Sequence, residues 1–199
     1  MATASGPIPK ATERMAGSRR RESTLAAAAT VFAREGYHGA TTERIAKAAG
    51  ISQPYVVRMF GSKENLFLAV IEGCLEAVLD AFRAALDEDR PGTVESRLGE
   101  AYQALATEDG VHLIVMQSYM LGADPVIGPV ARDGFTRILR FLVDEAGLAP
   151  SAAETFLAKG MLINTLLGMR LYDHDDDLAR RFTATVFGPG PAGPGPSGA

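Results

Sequence analysis

Apolar positions along the chain recur at spacings of about three and four, with glycine or proline at the breaks, and alternating strand-like stretches are scarce. The pattern predicts an all-α fold. Leu25, Ala28, Ala29, Phe32 and Ala33 form the stripe of a first helix over about 18–35, with Gly36 as its stop. Ile45, Ala46 and Ala49 give a short second helix an apolar face. Gly50 breaks it and Ile51 follows as a buried plug. Ser52 reads as the cap of a third helix in which Val56, Met59 and Phe60 share a face. A long fourth helix, about 63–87, carries Phe67, Val70, Ile71, Leu75, Val78 and Phe82. Further helices are expected at about 93–107, 111–121, 125–146, 151–172 and 176–187. Pro91-Gly92, Pro125, Pro150 and the acidic run Asp173–Asp177 mark the breaks, and Ser151 with Glu154 reads as a capping box.

The segment Thr41–Phe60 is the most informative. Two short helices joined through one glycine form either a helical hairpin of a bundle or a helix-turn-helix, whose second helix lies in the major groove of DNA. Ala46 is small where the helices should cross, and Gly50 tolerates the positive φ of a tight turn. Thr41 is the best N-cap of the second helix, with Glu43 in its first turn. Ser62 reads as the cap of the fourth.

Charge then favours DNA. The formal net charge is −4, but residues 1–63 carry ten Lys and Arg against four Asp and Glu, while residues 64–199 carry ten against twenty. A basic head on an acidic body is what a DNA reader with a separate second domain should show. Arg19, Arg20 and Arg21 stand at the start of the first helix, and Lys63 at the start of the fourth. Cations there oppose the helix dipole, and a nearby phosphate would offset that.

Composition bounds the rest. A chain of 199 residues with 47% hydrophobic content can hold one large or two modest domains. Cys74, the only cysteine, excludes an intrachain disulfide and reads as a core thiol. The N-terminus shows no secretory signal, and no apolar run reaches the ~18 residues of a membrane span, so a soluble, cytoplasmic chain is expected. Residues 1–17 and the Gly/Pro-rich residues 188–199 should be disordered tails. Between them lie an expected DNA-binding domain, 18–62, and an expected helical body for effector binding and dimerisation, 63–187.

In order and spacing, Phe32, Gly36-Tyr37, Thr41, Ile45-Ala46, Ala49-Gly50-Ile51-Ser52, Phe60, Ser62-Lys63-Glu64 and Leu66 make the segment 27–68 resemble the N-terminal domain of TetR-type transcriptional regulators. The resemblance implies a helical homodimer on a double-stranded DNA operator, a repressor released by a small effector held in the body; no cofactor, metal or membrane is expected. By position, Thr41 would cap the second helix and touch a phosphate, with Arg44 a further phosphate candidate. Ser52 would cap the recognition helix. Gln53, Pro54, Tyr55 and Arg58 would face DNA, Gln53 reading a base edge through its amide. Lys63 should bind phosphate. The chain departs from many members of that family, which have Gly-Thr in the places of Pro54-Tyr55 and polar aromatic residues in those of Val57 and Met59, so its operator is its own.

The body offers Met116, Tyr119, Met120, Phe135 and Met161 either as the lining of an adaptable apolar pocket or as plain core. Gln117, Asn164 and Thr165 either orient a ligand there or satisfy one another. His112 is equally open. Asp173–Asp177 with His174 reads as a helix boundary rather than a metal site. Gly160 and Gly168 leave room for close helix approach, so residues 151–187 make a candidate dimer surface. Two other readings stand beside a ligand-responsive regulator: a DNA binder controlled by a protein partner, and an all-α enzyme. The sequence has no HExxH motif, no phosphate-binding glycine loop and no nucleophile–base pairing to support the last.

Overall fold

The computed structural model describes residues 11–87, 91–108 and 110–187. Both expected tails fall largely outside these residues, but residues 11–17 are helical, which corrects the expectation of disorder through residue 17. The described residues form α1 (Ala11–Gly39), α2 (Thr42–Ala48), α3 (Gln53–Phe60), α4 (Lys63–Asp87), α5 (Val94–Glu108), α6 (Val111–Met120), α7 (Ile127–Arg140), α8 (Pro150–Gly168) and α9 (Asp177–Phe187). A π turn, Phe141–Glu145, extends α7, and a 3₁₀ turn, Leu171–Asp173, follows α8. The chain divides into two compact units, the first ending at Phe67 and the second starting at Leu68, so the boundary falls inside α4.

In the first unit α1 breaks at Gly36, whose φ of 73° no other residue type adopts cheaply. One more turn follows, closed by Ala40 N–H donating to the Gly36 carbonyl. That turn brings Tyr37 back over the core, 4.9 Å between ring centroids from Phe67, which in turn meets Phe32 edge-on at 4.8 Å. Phe32, Phe67, Ile45, Val56 and Leu66 are buried around these rings. Each such side chain contributes roughly 1.5–3 kcal/mol by burial.

The α2–α3 turn follows from three residues. Gly50 takes φ 66°. Its N–H donates to the Lys47 carbonyl and that of Ile51 to the Ala46 carbonyl, which satisfies the orphan carbonyls ending α2. Ala46 is 2% exposed, so the small residue does sit in the packed interior. Ile51 is only half-buried, which corrects its reading as a buried plug.

In the second unit α4, α5 and α8 pack about Leu79, Phe82, Leu98, Tyr102, Ile163 and Leu167, closed by Phe141 and Leu142 from the π turn. Arg137 on α7 pairs with Glu72 at 2.7 Å and with Glu76, both on α4. Prolines alter two expected caps: Ser52 does stand at the N-cap of α3, whereas Ser151 does not stand at that of α8. Ser52 makes no side-chain cap bond, because Pro54 lacks one of the N–H groups such a cap serves. Helix α8 starts at Pro150 with Ala149 as its cap, so Ser151 lies within the first turn and the expected capping box does not form.

Candidate functional site

Helix α3 turns Val56 and Phe60 into the core and leaves Ser52, Pro54, Val57 and Arg58 exposed, with Gln53 and Tyr55 half-buried. The Arg58 guanidinium stacks over the Tyr55 ring, 4.7 Å from its centroid. The two expected DNA contacts therefore reach outward as one cationic-aromatic pair. Gln53 is anchored from behind: its Nε2 donates to Thr42 Oγ1 at 3.2 Å. This holds the amide while Oε1 remains an acceptor.

Around α3 stand the flanking residues. Thr41 Oγ1 accepts from Arg44 N–H at 3.2 Å and caps α2 as expected. The Arg44 guanidinium pairs with Glu35 at 2.8 Å, and that carboxylate raises its pKa by hydrogen bond and charge. Its side chain is still 61% exposed, so a phosphate would compete with Glu35 for it. Arg19 and Arg20 are exposed on α1, whereas Arg21 folds back over Phe60, 5.0 Å from the ring centroid.

Lys63 has partners within its own unit. Its Nζ donates to the carbonyls of Tyr37 at 2.8 Å and Ala40 at 3.2 Å, and lies 4.7 Å from the centroid of the Tyr37 ring. Two of its three N–H groups close the turn after Gly36. The ammonium thus faces carbonyls that a truncated side chain would leave unsatisfied, and a phosphate contact would fall to its third N–H.

The second unit holds a cavity of about 660 Å³. Of the proposed ligand residues, Tyr119, Phe135, Met161 and Asn164 line it. Met116, Gln117, Met120 and Thr165 do not. Met120 is 82% exposed, beyond any interior. Thr165 is also exposed, its hydroxyl donating back to the Met161 carbonyl within its own helix. Phe82, Tyr102 and Phe156 also belong to the wall, as do polar side chains such as Gln103 and Thr155. Tyr102 donates its phenolic O–H to Asn164 Oδ1 at 2.7 Å, both residues being buried. His112 is not part of the lining. It is buried with Nδ1 2.7 Å from the Ala106 carbonyl oxygen, and burial lowers its pKa.

Leu162, Met169, Leu178 and Phe182 on and after α8 and α9 are exposed apolar side chains. The acidic run between these helices is taken up locally. Asp173 pairs with Arg170 and Asp175 with Arg180, while Asp176 Oδ1 accepts from Ala179 N–H at the start of α9.

Residues 25–70, the segment that builds this helix-turn-helix, match the family described as bacterial regulatory proteins, tetR family. This DNA-binding segment is of the TetR type. Among curated TetR-type relatives it is 38% identical over 73 residues to the transcriptional activator FasR of Mycolicibacterium smegmatis, covering 37% of this chain and 33% of FasR. It is 32% identical over 130 residues to the transcriptional repressor KstR2 of Rhodococcus jostii, covering 64% of this chain and 60% of KstR2. The chain thus spans between a third and three fifths of the length of these relatives. The fold is also similar to the crystal structure of AibR in complex with isovaleryl coenzyme A and operator DNA. The TM-score is 0.58 at 16% identity, covering 73% of this chain and 86% of AibR. Among the described residues, no helix is long and apolar enough to cross a membrane.

Several residues of the head and body went unread, or only partly read, in the sequence. Thr42, which holds Gln53, is signalled only by a polar residue one place after a cap. Lys47 is exposed at the end of α2 and adds to the basic surface. Phe82 reads only as part of the α4 stripe, and Tyr102 and Phe156 carry no signal of their own, because periodicity tells which helix face is buried but not whether that face is filled.

Proposed function

We propose that the chain is a dimeric, ligand-responsive transcriptional regulator that places α3 in the major groove of an operator and is released by a small, largely apolar effector bound in the second unit. The observation that carries this reading is the pairing of an exposed Arg58–Tyr55 surface on α3 with an apolar-walled 660 Å³ cavity in the body. Phosphate contacts from Arg19, Arg20 and Arg44 position the head, while Gln53 and Arg58 read base edges. Such a cavity is of the size that encloses a small-molecule ligand, and AibR, similar in fold, is described with both an acyl-coenzyme A and operator DNA. Repression is the proposed direction, although matched relatives include an activator as well as a repressor by name.

Dimerisation through α8 and α9 would cover Leu162, Met169, Leu178 and Phe182 and pair two half-sites on one operator. A gel-shift titration against the DNA upstream of the chain's own coding region tests the reading. Binding at least ~10³-fold tighter than to random DNA is the specific range. No preference over random DNA would refute it. A thermal-shift screen in which no small molecule moves the melting point, while a protein partner displaces DNA, would instead favour control by that partner.

A further inference from the structure

Resting on the effector reading above, the chemistry of the cavity lining narrows the ligand class. Asn164 is 2% exposed and lines the cavity together with Tyr102 and Met161. Its Oδ1 is occupied by the Tyr102 hydroxyl at 2.7 Å. Burial pushes that phenol up to about 12, with the Asn164 bond pulling the other way, so it keeps its proton and donates at neutral pH. Asn164 Nδ2 is thereby turned the other way, toward Met161 Sδ at 4.0 Å. Among the described residues this thioether is the partner of that amide, and sulfur is a weak acceptor. The flipped amide would aim Oδ1 at the sulfur, two electron-rich atoms face to face, so the tyrosine and the methionine together fix its sense. A strong amide donor is thus held under-used at the wall of a chamber that is lined mainly by apolar side chains, with Gln103 and Thr155 among the polar ones.

The charges of the lining point the same way. They are Glu95, Glu100 and Lys159, of which Glu100 and Lys159 are exposed and so belong to the mouth. The side chains held against the Asn164 amide are Tyr102 and Met161, and neither is charged. A carboxylate brought there would lose its hydration without a buried cation in return, and an ammonium would meet a donor. An uncharged oxygen acceptor has neither problem.

We propose that the cavity selects an uncharged apolar molecule bearing a carbonyl group, a ketone, ester or amide, whose oxygen accepts from Asn164 Nδ2, with Tyr102 as the positioning residue that sets the direction of that amide. The test is calorimetric titration of the full chain with three probes that share one ten-carbon chain: 2-decanone, decanoate and decylamine. 2-Decanone should bind about tenfold tighter than either of the others, and Asn164→Leu should lose about tenfold for the ketone alone, the worth of one hydrogen bond. Asn164→Ala removes the donor without adding bulk, so it repeats the test if the leucine variant does not fold. Tyr102→Phe frees the amide to turn and should narrow the ketone-over-amine ratio, which a purely structural role would leave unchanged. Equal or tighter binding of decanoate or decylamine, or an unaltered ketone affinity in a folded Asn164 variant, overturns the carbonyl assignment and leaves the effector reading standing. No binding of any of the three probes to the folded wild-type chain overturns both.

Discussion

Lys63 Nζ donates to the Tyr37 carbonyl at 2.8 Å and sits above the ring of the same residue. One side chain thereby ties the start of α4 to the turn that follows α1. The consequence is separable from DNA affinity. Lys63→Ala should destabilise the chain by about 1.5–3 kcal/mol, as expected for hydrogen bonds from a charged donor, while the salt dependence of DNA binding keeps its slope. Chemical denaturation and a salt titration measure the two. Normal stability with a slope reduced by about one would return Lys63 to phosphate binding.

Arg58 and Gln53 should divide differently. Arg58→Ala removes an exposed cation and should either lower the salt slope by about one, if it meets phosphate, or relax one base position, if it meets guanine. Gln53→Ala should relax preference at one base position. Thr42→Val should do the same more weakly, because Thr42 Oγ1 holds the amide. Affinities of each variant for operators substituted one base at a time would show it. A Thr42→Val protein with unaltered preferences would mean the anchor does not set the contact.

At Gly50 the backbone takes φ 66°, and a Cβ there would meet nothing within 4 Å. The cost of Gly50→Ala is therefore conformational rather than steric, about 1–2 kcal/mol. A thermal melt should show the loss, and Gly50→Asn should recover part of it, since asparagine enters the left-handed region more readily. Equal losses for the two would point to a clash instead.

His112 makes stability depend on pH. Burial holds its folded pKa below the ordinary value, so the folded chain prefers the neutral ring and the unfolded chain binds the proton more readily. Its contribution is complete above the unfolded value of ~6.5 and is lost as pH falls through the lower folded value. Melting temperature should drop between pH 7.5 and pH 5, and His112→Gln should flatten that part of the profile. An identical profile in the variant would assign the acid sensitivity elsewhere.

Helices α2, α3 and α4 were legible because each rests on local chemistry: Gly50 at the turn, Thr41 and Ser62 as working caps, and apolar residues three and four apart. Local rules fell short where they met a proline, and contacts went unread where the partner is distant in sequence. Ser151 obeys the capping pattern, but Pro150 starts the helix first. Lys63 sits where a phosphate contact is expected, yet its ammonium meets carbonyls 23 and 26 residues away in sequence. The cavity was half legible. Tyr119, Phe135, Met161 and Asn164 were found by being large or polar on apolar helices, whereas Met120 has the same composition signal and points to solvent. Burial against one neighbour rather than another is a long-range property that no single helix records.

The π turn Phe141–Glu145 has a consequence for length rather than for packing. Ala146 N–H reaches back five residues to the Phe141 carbonyl, one more than an α-helix spans, so the backbone here carries a surplus residue. Removing an exposed residue of the turn, Asp144 or Glu145, would let the strand of hydrogen bonds close as α-helix and keep Phe141 and Leu142 inward. Removing one from the middle of α7 would rotate every later side chain by about 100°. Among the described helices, this turn is the place where the chain can be shortened by one residue without rewriting which faces are apolar.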